Sequence, residues 1–221
     1  MEQNTFSDVD NYLHTTILGE DDILSETIKS NRAAGLPSID VTPLQGKLLT
    51  IICSVIKAKN VLEIGTLGGY STICLARGLP ADGKVISLEY RDHHAQIAKA
   101  NLERAGVSDL VTVRIGPALE TLPALQDESF VPFDLIFIDA DKENNPAYLE
   151  WAIKLAHSGS LIIVDNVVRE GSIINMTDHS DATEATRRLH EILGSHPKLE
   201  ATAIQTVGEK GWDGFALAVV R

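Results

Sequence analysis

The sequence predicts an α/β fold: a seven-stranded, mostly parallel sheet with one antiparallel strand, helices on both faces and a helical cap at the N-terminus. Three observations carry that reading. Short runs of Ile, Val, Leu and Phe recur along the chain, separated by stretches long enough for crossover helices. Two runs end abruptly in polar clusters, residues 133–138 at Asp139-Ala140-Asp141-Lys142 and residues 161–164 at Asp165-Asn166. Buried parallel strands end in this way when their C-terminal ends deliver polar groups to a site. The last two runs are divided only by Gly208-Glu209-Lys210-Gly211-Trp212-Asp213, a connection too short for a crossover and suited to an antiparallel hairpin.

Taken in order, residues 25–34 and 43–57 carry helical patterns joined through the breaker Gly35-Leu36-Pro37. Residues 1–40 therefore read as a cap and 41–221 as the core of a single domain. Strands are expected at 61–65, 84–89, 111–116, 133–139 and 160–165, forming the parallel set, and at 201–207 and 214–220, forming the hairpin. With 44% hydrophobic residues, 221 residues suffice to bury one full core. Cys53 and Cys74 fall within apolar helical patterns without metal-ligand spacing, and read as reduced core thiols.

Charge narrows the partners. The chain has 31 acidic and 19 basic residues, a formal charge of -12, which repels phosphate backbones and anionic membranes and makes nucleic acid an unlikely partner. Met1-Glu2-Gln3-Asn4-Thr5 lacks a basic segment followed by an apolar stretch, and the longest apolar run, near 48–56, is too short to span a bilayer. A soluble, cytoplasmic protein is expected.

Two groups of residues suggest chemistry. Asp139, Asp165 and Asn166 would offer three oxygen ligands from neighbouring strand ends, a set suited to a hard divalent cation, Mg²⁺ first and Ca²⁺ or Mn²⁺ otherwise. No Cys/His cluster accompanies them to favour zinc. The second group is the turn Gly65-Thr66-Leu67-Gly68-Gly69 after the first strand, whose glycines permit close backbone approach and whose following helix, from near Tyr70, would point free N–H groups at a ligand. Its spacing is not G-x-G-x-x-G. Glu89, 26 residues after Glu63 at the end of the second strand, could accept both hydroxyls of a ribose, so a nucleoside-bearing cofactor is expected.

The motifs Glu63-Ile64-Gly65-x-x-x-Gly69-Tyr70-Ser71, Gly116-Pro117-Ala118-Leu119, Phe137-Ile138-Asp139-Ala140-Asp141-Lys142 and Asp165-Asn166-Val167 resemble those of the class I S-adenosylmethionine-dependent methyltransferases. Within that Rossmann-like class the chain is similar to the cation-dependent O-methyltransferases, which include catechol and caffeoyl-CoA O-methyltransferases. The resemblance implies that Val41, Glu63, Gly65, Thr66 and Ser71 hold the methionine part of S-adenosylmethionine, Glu89 its ribose and Ala118 its adenine region. It further implies that Asp139 is shared between the metal and the cofactor's amino group, that Asp141 lies on the cofactor side, and that Lys142 takes the proton of a phenolic acceptor.

Some residues admit a second reading. Lys142 could be a solvated lysine at a helix start, and Asp141 a helix N-cap. His93-His94 reads as a solvated helix face, Trp151 as core packing, Glu20-Asp21-Asp22 as a solvated helix N-terminus, and Trp212 as either a packing anchor or a pocket wall. Plant caffeoyl-CoA enzymes typically follow Asp-Asn with a tryptophan segment; here Val167-Val168-Arg169-Glu170-Gly171 follows, which favours a small vicinal dihydroxy aromatic over a coenzyme A thioester. Two alternatives stand beside that acceptor, a hydroxylated uridine in tRNA and a non-catalytic cofactor-binding role. Ile23, Leu24, Ile28 and Leu36, apolar positions outside the seven-stranded core, together with the resemblance suggest a homodimer formed through residues 6–37.

Overall fold

The structure, a computed structural model, describes residues 3–221. One sheet contains β1 (Asn60–Ile64), β2 (Lys84–Glu89), β3 (Val111–Ile115), β4 (Phe133–Ile138), β5 (Ala156–Asp165), β6 (Leu199–Gly208) and β7 (Gly211–Val220), in the order β3-β2-β1-β4-β5-β7-β6. β1 to β5 pair in parallel, and β7 runs antiparallel to both β5 and β6. The strand order reverses between β1 and β4, which opens a crevice at their carboxyl ends.

Successive strand side chains alternate between the two faces. Val61, Val85, Leu135 and Phe137 pack with Leu49 and Cys53 of α3 (Pro43–Ile56), Ile73 of α4 (Tyr70–Arg77) and Leu102 of α5 (Asp92–Arg104). Leu62, Ile86, Ile136 and Ile138 pack on the other face with Leu122, just past the one-turn α6 (Ala118–Thr121), Leu149 of α7 (Asn145–Leu155) and Leu189 of α8 (Asp181–Ser195). Helices on both faces explain why the central strands read as continuous apolar runs.

Several expectations need correction. The hairpin ladder continues to Gly208↔Gly211, so only Glu209 and Lys210 form the turn, and Trp212 and Asp213 lie within β7 rather than in a loop. β5 begins at Ala156, before the expected start, because Ser160 bridges the strands: its hydroxyl donates to the Phe133 carbonyl at 2.7 Å and accepts the His157 N–H at 2.9 Å. A first helix, α1 (Gln3–Leu13), was not expected at all. It lies against β6 and holds the hairpin turn, with Asp10 Oδ2 accepting the Glu209 N–H at 2.8 Å.

The cap helix α2 (Asp22–Ala33) is capped by Asp21, whose carboxylate accepts the Leu24 N–H at 3.0 Å and pairs with Arg77 on α4 at 2.5 Å. Leu24 and Ile28 pack against the core and Leu36 is buried. Leu24, Ile28 and Leu36 thus bury apolar surface within the chain itself, while Ile23 stays half-exposed. Asn31 fixes the cap over the β1–α4 turn: its Nδ2 donates to Asp40 at 2.9 Å, and its Oδ1 accepts from Asn101, which also donates to the Gly68 carbonyl at 2.8 Å. Both Cys53 and Cys74 are free and buried, with thiols pushed up to about 12 by burial. Among the described residues, no helix is long and apolar enough to cross a membrane.

Candidate active site

A cavity of about 760 Å³ lies over the carboxyl ends of β1, β2, β4 and β5. Its floor is the β1–α4 turn. Gly65 has φ 102°, and a side chain there would strike the backbone of Asp139; this glycine lets the ends of β1 and β4 meet, as well as leaving room for a ligand. The ladder continues past both strands, the Gly65 N–H donating to the Leu88 carbonyl and the Asp139 N–H to the Ile64 carbonyl.

Glu63 is fully buried and does not line the cavity. Its carboxylate accepts hydroxyls from Ser71 (2.6 Å), Thr72 and Ser87, and Ser87 in turn contacts Thr66. Burial pushes the Glu63 carboxyl up to about 7, against the opposing effect of those hydroxyl bonds. Glu63, expected to hold the cofactor, instead lies beneath the cavity lining and fixes Ser71, which lines the cavity with Val41, Gly65 and Thr66.

Glu89 also lines the cavity, with its oxygens already engaged. Oε2 accepts the Leu67 N–H at 2.8 Å and the Thr66 N–H at 3.3 Å, while Oε1 accepts the Arg91 N–H at 2.9 Å and lies 3.3 Å from His94 Nδ1. Ribose hydroxyls would have to share these oxygens. His94 is a cavity residue rather than part of a solvated face, which corrects the sequence reading; its side chain is only 13% exposed. The cue was available, because His94 lies on the first turn of α5, immediately after the strand end bearing Glu89. Ala118 lines the cavity.

At the other end, Asp139, Asp141, Lys142 and Asn166 line the cavity. Lys142 Nζ donates to Asp139 Oδ1 at 2.8 Å and its side chain is 11% exposed, so it is not a solvated lysine. Asp141 is held by Tyr148, whose hydroxyl donates at 2.6 Å, and by the Asn144 amide. Asp165 lies behind Asn166, outside the cavity lining and 6% exposed; burial and then the Asp139 charge push its carboxyl up. Gln45 on α3, which the sequence reading missed, hydrogen-bonds to it. Two mutually repelling carboxylates beside the Asn166 amide form a donor set that a hard cation would relieve, so the residues present fit Mg²⁺. Among the described residues, no group of three His, Cys, Asp or Glu side chains is arranged to hold a metal ion.

The segment after β5 is strained. Asn166, Arg169 and Glu170 have φ of 58°, 56° and 52°, a conformation costing on the order of 1–3 kcal/mol for each residue. Asp213 on β7 holds it in place, Oδ1 accepting the N–H groups of Val168 and Arg169, each at 2.9 Å. Trp212 packs over Gly171 and donates to Gln205 at 3.0 Å; it is a packing anchor, outside the cavity lining. Trp151 is partly buried against the core.

Comparison with known proteins gives a consistent outcome. A family model described as O-methyltransferase matches residues 14–219. A catechol O-methyltransferase of Mycobacterium tuberculosis is 56% identical over 214 residues, spanning 97% of this chain and 96% of that protein. The O-methyltransferase from Bacillus cereus solved with S-adenosylhomocysteine shares 50% identity, with a TM-score of 0.98 over all of both chains. TomG from Streptomyces achromogenes, solved with S-adenosylmethionine, shares 42% identity with a TM-score of 0.96, covering 100% of this chain and 99% of that one.

Proposed function

This chain belongs to the S-adenosylmethionine-dependent O-methyltransferases, and from that premise we propose that it methylates one hydroxyl of a small vicinal dihydroxy aromatic with a divalent cation held by Asp139, Asp165 and Asn166. The observation that carries the reading is the convergence of Asp139, Asn166 and Lys142 at one end of a cavity, with the buried Asp165 near enough to feel the Asp139 charge, while the other end is formed by Glu89 and the β1–α4 turn. A cation bound there would act as a Lewis acid on two adjacent acceptor oxygens. S-adenosylmethionine would supply the methyl group along the turn from Gly65 to Ser71.

The chain's own groups then have distinct tasks. Glu63 holds Ser71 and Glu89 holds Thr66 and Leu67, so the cofactor floor is fixed before binding. In this reading Lys142, in its neutral amine form, would receive the acceptor's hydroxyl proton, and the contact with Asp139 would orient it. The family resemblance and the catechol O-methyltransferase name of the 56% identical relative support the acceptor class. The reading extends to a cytoplasmic homodimer in which residues 1–40 cap the core. Exposed Val9, Tyr12 and Ile17 in the first residues of the chain support such an interface.

Labelled S-adenosylmethionine incubated with a catechol panel and with bulk tRNA, in Mg²⁺ and in excess chelator, tests the proposal. Methylated catechols are expected only with the cation, and unlabelled tRNA throughout. Label in tRNA alone would overturn the acceptor class, and full catechol activity in chelator would overturn the metal assignment. Asp165→Ala should retain S-adenosylhomocysteine binding by calorimetry while turnover collapses.

A further inference from the structure

We propose that Arg169 recognises a carboxylate on the acceptor, so that the preferred substrate is a catechol bearing an acidic substituent; the inference rests on the catechol reading above. Arg169 lines the same cavity as Lys142 and Asn166. Its Nε is buried with no hydrogen-bond partner, and among the described residues no carboxylate pairs with its guanidinium. The neighbouring Glu170 is exposed and forms no ion pair with it. Arg169 as a whole is half-buried and only its Nε is enclosed, so the two Nη groups, which no hydrogen bond among the described residues engages, are the atoms that a ligand in the cavity can reach. Such an unpaired guanidinium has the character of a prepared anion site.

Its placement is also fixed. The Arg169 backbone is held at φ 56° by Asp213, which accepts the N–H groups of residues 168 and 169, so the side chain starts from an anchored position. The other cationic group at this end, Lys142, is already paired with Asp139 at 2.8 Å. Arg91, at the opposite end beside Glu89, is exposed and so lacks the desolvation that marks Arg169.

Charge and geometry select the ligand. A formal charge of -12 and the pair Asp139 and Asp165 disfavour an anion approaching this cavity, and the Arg169 guanidinium is a local positive charge that would offset that cost for a singly charged acceptor. A carboxylate matches its planar fork with two parallel hydrogen bonds and brings one negative charge. A phosphate would add a second charge beside the two aspartates. Arg169 follows β5 on the side of Asn166 and Lys142, away from the turn bearing Ser71, which places the contact with the acceptor rather than with the methionine end of the cofactor.

The test compares 3,4-dihydroxybenzoate with 4-methylcatechol, a neutral ring of similar size, in the wild type, Arg169→Met and Arg169→Lys. The wild type should favour the acid in kcat/KM, and the ratio of acid to neutral should fall by about 10–100-fold in Arg169→Met. Arg169→Lys, which keeps the charge but loses the fork, should fall between them. A wild type that prefers the neutral ring, or an unchanged ratio in Arg169→Met, would overturn the inference. So would a tenfold loss of S-adenosylhomocysteine affinity with the ratio unchanged, since Arg169 would then serve the cofactor. Calorimetric titration of both rings into the protein loaded with S-adenosylhomocysteine and Mg²⁺ separates this inference from the reaction itself. If neither ring is methylated but the acid binds the wild type at least tenfold more tightly than Arg169→Met, the reaction reading fails and the recognition site stands. If the acid does not bind, the recognition site fails too.

Discussion

Glu63→Gln should change how stability depends on pH, because Glu63 is a buried carboxyl raised from 4.5 to about 7. Between those values the folded protein holds a proton that the unfolded chain has released, so its stabilising contribution is full below about 4.5 and declines as pH rises through about 7. At 1.36 kcal/mol per pH unit the whole span is worth about 3 kcal/mol, of which about 2 kcal/mol falls between pH 5.5 and 7. Glutamine cannot titrate and resembles the protonated acid, so it removes this slope. Urea unfolding at pH 5.5, 6.5, 7.5 and 8.5, without cofactor or metal, measures it. The wild type should lose about 2 kcal/mol relative to Glu63→Gln across the rise to neutrality, and the difference should level off above pH 8. A difference constant with pH would refute the reasoning. It would mean that the hydroxyls of Ser71, Thr72 and Ser87 compensate fully for burial and keep the carboxylate ionised.

Four further outcomes are expected. Lys142→Met should lower kcat by about 10²–10⁴-fold with S-adenosylhomocysteine affinity retained, and higher pH should partly restore the rate by ionising the acceptor directly; an unchanged kcat and pH profile would remove Lys142 from proton transfer. Glu89→Ala should weaken S-adenosylhomocysteine binding at least about tenfold by calorimetry, since it would remove the proposed ribose acceptor and free the Thr66 and Leu67 N–H groups; unchanged affinity would exclude Glu89 from the site. Gly68→Ala would place a methyl group on the Asn31 side chain and should lower stability by about 1–3 kcal/mol, read by urea unfolding; an unaltered midpoint would show that the cap yields without cost. Cys53 and Cys74, with thiols near 12, should resist a thiol reagent at pH 8 in the native protein and react once it is unfolded; rapid native reaction would contradict their burial.

Much of this molecule could be read from the sequence where one physical rule acts alone. β2 spans residues 84–89 as expected, because an apolar run buried on both faces and ending in a glutamate leaves little choice. Lys142, Asp139 and Asn166 come together because parallel strands place their ends side by side. Features set by contacts remote in sequence were not legible. Nothing local in α1 indicates that Asp10 holds a turn 199 residues away, and nothing near Leu24 indicates that it packs against the core of its own chain.

The site shows the same division at finer scale. The residue types expected to carry chemistry stand at neighbouring strand ends, but whether each lines the cavity or supports one that does depends on which side of the backbone it faces. Glu63 and Ser71 illustrate the point: their motif places both at the cofactor, while the pleat of β1 turns Glu63 inward and leaves only Ser71 in the cavity. Arg169 is the converse. A sequence shows an arginine in a loop, where a solvated charge is the default; only its place in the cavity lining, its lack of an ion pair among the described residues and the anchoring of its backbone by Asp213 single it out. Sequence thus locates the chemistry at the crevice, and the pairing of each polar atom determines which residues meet the substrate.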